Sequence, residues 1–248
     1  METADAKAES WRQYDEMSKG ISTGIATTMR GFVDEFQKET FASLKEETGL
    51  ATTIGLTPEQ EVKLQKNLNQ AIENVTQKVL KDFGMGKEDL SGELGQQLQQ
   101  YARDLNSKIV ETMNDSMALI KEDVIETIQQ NATQPKEVLE EILQREFKTL
   151  STSRIQMIAQ TTATSVTTGT QKNVFTSFGV KSMWNSQRDG RVRPSHKAID
   201  GQVQNELGWF QFGDGSLIDR PAGSSQGGTT VKASNIVRCR CYLFPVRK

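Results

Sequence analysis

Phe178-Gly179-Val180-Lys181-Ser182-Met183-Trp184-Asn185 divides the chain into two textures. Before it, apolar residues recur every three or four positions, the spacing of one helix face. After Gly179 the pattern becomes short strand-like runs and loops. Lys181–Asn185 is a predicted strand, and 237–246, with its aromatic and β-branched residues, is another. Between them, 213–228 reads as a Gly- and Ser-rich surface loop. The fold class expected is therefore α+β: long amphipathic helices, as an arm or bundle, followed by a small mixed α/β domain.

Working back toward the N-terminus, Trp11, Met17, Ile21, Ile25, Met29, Phe32, Phe36 and Phe41 form one narrow stripe over 7–46. Thr57, Pro58 and Gln60 make a capping box with proline at the first helical position. That box opens a helix through Val62, Leu64, Leu68, Ile72, Val75, Val79 and Leu80, ended by Gly84 and Gly86. A third stripe runs from Leu94 to Ile128. Each single-stripe helix must bury that stripe against another helix or another protein. Near Asn131 the texture changes. Pro135 starts a short helix carrying Val138, Leu139, Ile142, Leu143 and Phe147, and Ser151 or Ser153 is expected to cap a second that reaches about Phe178. The expected division is a helical, partner-binding region over 1–131 and a compact domain over 132–248.

The net charge of −2 conceals an asymmetry. Residues 179–248 carry 11 Lys/Arg against 5 Asp/Glu, and residues 1–178 carry 19 against 27. An acidic helical part joined to a basic one points to two kinds of partner, and a basic surface commonly faces nucleic acid or an acidic protein. No apolar run approaches the roughly 18–20 residues that span a bilayer. The two cysteines lie one residue apart, where a disulfide would be strained, so reduced thiols are expected.

The chemically scarce residues gather in the last quarter. His196 is the only histidine, and Cys239 and Cys241 are the only cysteines. Imidazole and thiolate are preferred zinc ligands, and a fourth position is open to Asp189, Asp200 or water. The alternative is that the histidine bonds within a turn and the cysteines pack in a strand. The segment Asp189-Gly190-Arg191-Val192-Arg193-Pro194-Ser195-His196 combines a turn dipeptide with two arginines. These arginines suit bidentate contact with phosphate or carboxylate, or internal pairing with Asp189 and Asp200. Nucleic-acid contact would draw on Arg188, Arg191, Arg193, Lys197, Arg238 and Arg240. Ser195 beside His196 is poorly placed for nucleophilic catalysis, because neighbours in an extended segment face opposite ways. No nucleotide-binding loop and no His-Glu-x-x-His is present.

Taken in order, Arg154-Ile-Gln-Met-Ile-Ala, Gly179-Val-Lys, Trp184, the Asp189–His196 segment with its Arg191 and Arg193, Gly201, Pro221 and Arg238-Cys-Arg-Cys241 resemble the C-terminal domain of the phage Mu F-like minor head proteins, the phage head morphogenesis family. The resemblance covers about 135–248. Where family members tend to read Ala-Arg-Thr-Glu, this chain has Ala159-Gln160-Thr161-Thr162. The resemblance implies a structural protein of a tailed-phage or prophage head, associated with the portal vertex, acting in head assembly and in DNA packaging, ejection or delivery. It implies the portal, other head proteins and packaged DNA as partners and the virion and the host cytoplasm as locations; it does not imply a secure catalytic activity, and no enzyme is expected. The rival reading is a metal-dependent nuclease or hydrolase built on zinc held by His196, Cys239 and Cys241.

Overall fold

The computed structural model of the chain describes residues 4–46, 58–82, 93–187 and 189–246. The Thr57 cap, Gly84, Gly86, Arg188 and the side chains of Gln60, Leu94 and Leu98 lie outside the described residues. Three long helices come first: α1 (Ala4–Glu46), α2 (Pro58–Asp82) and α3 (Glu93–Gln130). A turn at 131–134 leads to α4 (Lys136–Thr149), and α5 (Ile155–Ser177) follows.

The expected caps at Ser151 and Ser153 are not used. Leu150–Arg154 forms a π-helical turn, and Thr149, Arg154 and Ile155 all keep right-handed helical angles. The chain therefore stays helical from α4 into α5, with Thr152 Oγ1 bonding back to the Lys148 carbonyl at 2.7 Å instead of capping.

The stripes find their partners inside the molecule. Ile25, Met29 and Phe36 of α1, Leu64, Leu68 and Val75 of α2, and Met113, Met117 and Val124 of α3 are buried in one core that continues through α5 to Cys239, Cys241 and Leu243. That core crosses the turn at 131–134. Val62 and Val138, read as stripe residues, are 66% and 40% exposed instead. Both lie at the start of their helices, ahead of the packed turns.

Helix α5 is the axis of the fold. It packs against α1, α2, α3 and two strands of the terminal domain, so it is buried nearly all round. This explains its threonines. Thr161, Thr167 and Thr170 return their hydroxyls to carbonyls one turn back at 2.8–3.0 Å. Thr164 and Thr168 donate outward as well, to the carbonyls of Cys239 (2.8 Å) and Pro221 (2.7 Å). Gln171, fully buried, donates to the Leu243 carbonyl at 3.0 Å and accepts its N–H at 3.1 Å. A β-branched polar residue costs a little helix propensity, but here the Thr164 and Thr168 hydroxyls hold the Cys239 and Pro221 segments, which have no sheet neighbour on that side.

Strand β1 (Lys181–Asn185) is the predicted one, paired antiparallel with β5 (Tyr242–Val246) so that Trp184 faces Leu243. The second strand is shorter than expected. Arg238 takes a left-handed backbone angle (φ 52°), and 239–241 runs as irregular chain before β5 begins. The expected loop at 213–228 contains two short strands. Here β2 (Phe210–Gln211), β3 (Leu217–Ile218) and β4 (Ser225–Gln226) form a small antiparallel sheet. Between β1 and β2 lies α6 (Pro194–Ala198), whose first residue is the proline of the motif and whose preceding residue, Arg193, is extended.

Candidate metal centre

His196 sits on α6 with its ring 2% exposed. Its Nε2 lies 3.1 Å from the Asn235 carbonyl oxygen. A carbonyl only accepts, so Nε2 carries the hydrogen, and in the neutral ring Nδ1 presents its lone pair. That Nδ1 faces two sulfurs, Cys241 Sγ at 3.3 Å and Cys239 Sγ at 3.6 Å. Both cysteines are buried, and the three donor atoms lie within 4.8 Å of one another. The group is chemically able to hold a metal ion.

Local backbone geometry brings these atoms together. The left-handed angle at Arg238 turns the chain inward, its N–H bonds to Thr161 Oγ1 at 2.9 Å, and its guanidinium reaches the Ser153 carbonyl in the π-helical turn at 3.2 Å. Thr164 holds the Cys239 carbonyl. Gly201 (φ 82°) lets the chain after α6 double back so that its N–H meets the Trp184 carbonyl at 2.8 Å. Trp184, fully buried, sets its ring edge-on to His196 at 5.4 Å.

The electrostatics divide the two thiols. Burial alone would raise Cys239, but its hydrogen bond with Cys241 and its contact with His196 hold it well below the ordinary thiol range. The backbone N–H of Cys241 points at the same sulfur at 3.5 Å. Cys241 is pushed upward, first by its hydrogen bond with Cys239 and then by burial.

The arginines of the motif are largely engaged within the fold. Arg193 donates to the Val237 carbonyl. Arg240 forks onto both oxygens of Asp189 at 3.0 and 3.1 Å and also reaches Gln187. Asp189 is thereby drawn away from the histidine and cysteines. Slight burial favours its neutral form, but the Arg191 N–H and the Arg240 guanidinium together hold its carboxyl below the usual range. Asp200 accepts the Ser186 N–H at 2.8 Å. Ser195 and His196 turn out to lie on a helix, not an extended segment; still, Ser195 Oγ donates to Asn235 Oδ1 at 2.8 Å, and both His196 ring nitrogens have other partners. Arg191 and Lys197 remain at the surface, and Arg238 is exposed despite its backbone contacts. Asn235, Gln187, Thr161 and Thr164 are the contributors that sequence reasoning missed.

The model of the family described as phage Mu protein F like protein matches residues 93–244. The chain belongs to that family. Comparison with curated proteins and with solved structures gives no match. The Mu F-like match begins at the start of α3, upstream of the residues that first carried the resemblance, and ends in β5. Membership suggests a phage head morphogenesis protein. No described helix is long and apolar enough to cross a membrane.

Proposed function

We propose that this Mu F-like chain is a structural minor head protein that acts at the portal vertex in head assembly and in DNA packaging or delivery. The observation that carries the reading is the use made of the motif: Arg193, Arg240, Asp189 and His196 fasten α6 and the 189–191 turn to the segment from Asn235 to Arg240. Such a motif serves rigidity. The 1–131 region, acidic and helical, offers its outer faces to the portal or other head proteins, while 132–248 forms the compact basic part. The protein works in the host cytoplasm during assembly and ends in the virion. Deleting its gene from the parent phage or prophage should remove infectious particles, and the protein should co-purify with heads; normal heads and normal DNA delivery without it would contradict the reading.

The same reading gives packaged DNA a minor role. With Arg193 and Arg240 engaged internally, only Arg191, Lys197 and Arg238 are left of the described candidates. About three phosphate contacts give a sequence-independent affinity that falls with a log–log salt slope of roughly −3. Titrating the full chain with duplex DNA at low and moderate salt checks this. Tight binding, or binding indifferent to salt, would count against it.

The histidine and two cysteines supply three of the four donors that a zinc ion takes. In a tetrahedral site the edge between a nitrogen and a sulfur ligand is about 3.6 Å, close to the 3.3 and 3.6 Å separations here. The buried indole N–H of Trp184 lacks an acceptor among the described residues, and it favours the charged form of Cys241. An otherwise orphaned donor beside a thiol is the polarity that a metal-bound thiolate satisfies. His196 through Nδ1, Cys239 and Cys241 would hold the ion, which when bound supplies a cross-link between α6 and the 239–241 segment. The nuclease or hydrolase reading is disfavoured by burial: with all three ligands at most 2% exposed, a phosphodiester has no access to them. A nuclease assay with His196→Ala as control tests that alternative.

A further inference from the structure

Most of the motif's polar groups are spent inside the fold, but Arg191 projects into solvent, with its side chain 80% exposed and held, among the described residues, only by an ion pair with Asp189 at 3.5 Å. It stands at the rim of a cleft of about 450 Å³ lined by the N-terminal half of α1, by α5 and by Gln187, Arg191 and Arg240. Arg12 and Lys19 of α1 occupy the opposite rim, 68% and 72% exposed, each tied only to a carboxylate on its own helix. Beside Asp15, Glu16 and Arg240, the walls between these cations carry neutral hydrogen-bonding groups. Gln156 and Gln160 lie one turn apart on α5, and Gln187 and Ser22 also face the space. Trp11 and Tyr242 close one side, with the Trp11 indole N–H bonded to the Arg240 carbonyl at 3.0 Å.

This lining selects among ligand classes. A third helix would bring an apolar stripe, and these walls offer it nothing apolar to match beyond two rings. A nucleic-acid backbone is served no better, because Asp15 and Glu16 share the lining and Asp189 lies beside it. Four cations against three anions do not make a phosphate channel. Side-chain amides and hydroxyls do match the alternating N–H and C=O groups of a polypeptide main chain, and exposed arginines match carboxylates. The volume suits a few residues of a bound segment.

We propose that the cleft binds an extended, acidic segment of another head protein, its carboxylates at Arg12, Lys19 and Arg191 and its main chain on the glutamine amides of α5. This rests on the head-assembly reading. The position of α1 is what makes it possible, since α1 lies outside the residues that match the family and supplies one whole wall.

The three tryptophans give a direct readout. In the full-length chain labelled at indole nitrogen, the Trp11 resonance reports the cleft, while Trp184 lies in the buried core as an internal control. The probes are the acetylated, amidated peptide Ser-Glu-Ser-Glu-Ser, its Ser-Gln-Ser-Gln-Ser counterpart and a short DNA duplex. The acidic peptide should move the Trp11 signal saturably, with a Kd on the order of 1 mM or tighter. The glutamine peptide should bind at least about fivefold more weakly, since charge-assisted hydrogen bonds are roughly twice as strong as neutral ones. Arg191→Glu should weaken the acidic peptide by about tenfold, and Arg12→Glu, away from the motif turn, should do the same through like-charge repulsion. No saturable Trp11 shift, equal response to both peptides, or a saturable Trp11 shift with the duplex would each overturn the proposal. If Arg191→Glu protein still enters heads while the peptide fails to bind, the cleft assignment falls and the head assignment stands.

Discussion

Replacing Cys239 with alanine should lower stability more than any other single change in the terminal domain. If the ion is held a thousandfold tighter than its free concentration, losing it costs about 4 kcal/mol. Loss of a packed sulfur at a fully buried position adds to this. The decisive feature is linkage. A strong chelator should lower the melting temperature of the wild-type chain and leave that of Cys239→Ala unchanged, because the variant has no ion to lose. His196→Ala should behave the same way. A chelator that shifts wild type and variant equally, or neither, would mean that the three side chains are packed as a metal-free hydrogen-bonded group.

Gln171→Ala should be the second most damaging change. The side chain makes paired bonds with the N–H and carbonyl of Leu243, and β1 cannot substitute for it, because the Trp184 backbone bonds to Gly201 and Gln202 instead. Removing the amide strands two buried main-chain groups at about 1–3 kcal/mol each, so a loss near 3 kcal/mol is expected. For a chain of this size that is a fall of roughly 6–12 °C in Tm. Thr164→Val, which removes one hydroxyl but keeps the shape, should cost about 1 kcal/mol. Chemical denaturation of the two variants checks both values, and a Gln171→Ala loss below about 0.5 kcal/mol, the scale of an ordinary surface change, would show that α5 does not anchor β5.

The helical half was readable because its signal is periodic. A stripe such as Ile21, Ile25, Met29, Phe32, Phe36 needs only one buried face, and α1 buries that face as expected. Helix α5 was expected up to about Phe178 and is there; what escaped was how it is buried. Its buried polar face, Thr161, Thr164, Thr168 and Gln171, has helical spacing too, but hydroxyls and amides read as surface when their partners are backbone groups 53–77 residues away. The caps at Ser151 and Ser153 failed for a related reason: a hydroxyl that can cap can equally bond one turn back, and packing decides. At the candidate centre, residue chemistry singled out His196, Cys239 and Cys241, which the fold brings together. Asp189 was grouped with them on its chemistry and nearness in sequence, whereas Arg240 competes for it with two charge-assisted hydrogen bonds. The short strand at 242–246 could not be delimited because a non-glycine residue, Arg238, takes the left-handed angle that ends the run.

On the reading proposed above, the scarce residues of this Mu F-like chain would hold a buried zinc ion that cross-links α6 to the 239–241 segment. The most direct test of this is the metal content of the purified full-length protein, measured by plasma mass spectrometry after desalting, beside His196→Ala prepared identically. One zinc per wild-type chain is expected, and essentially none in the variant. Wild-type protein carrying no more zinc than His196→Ala would contradict that reading.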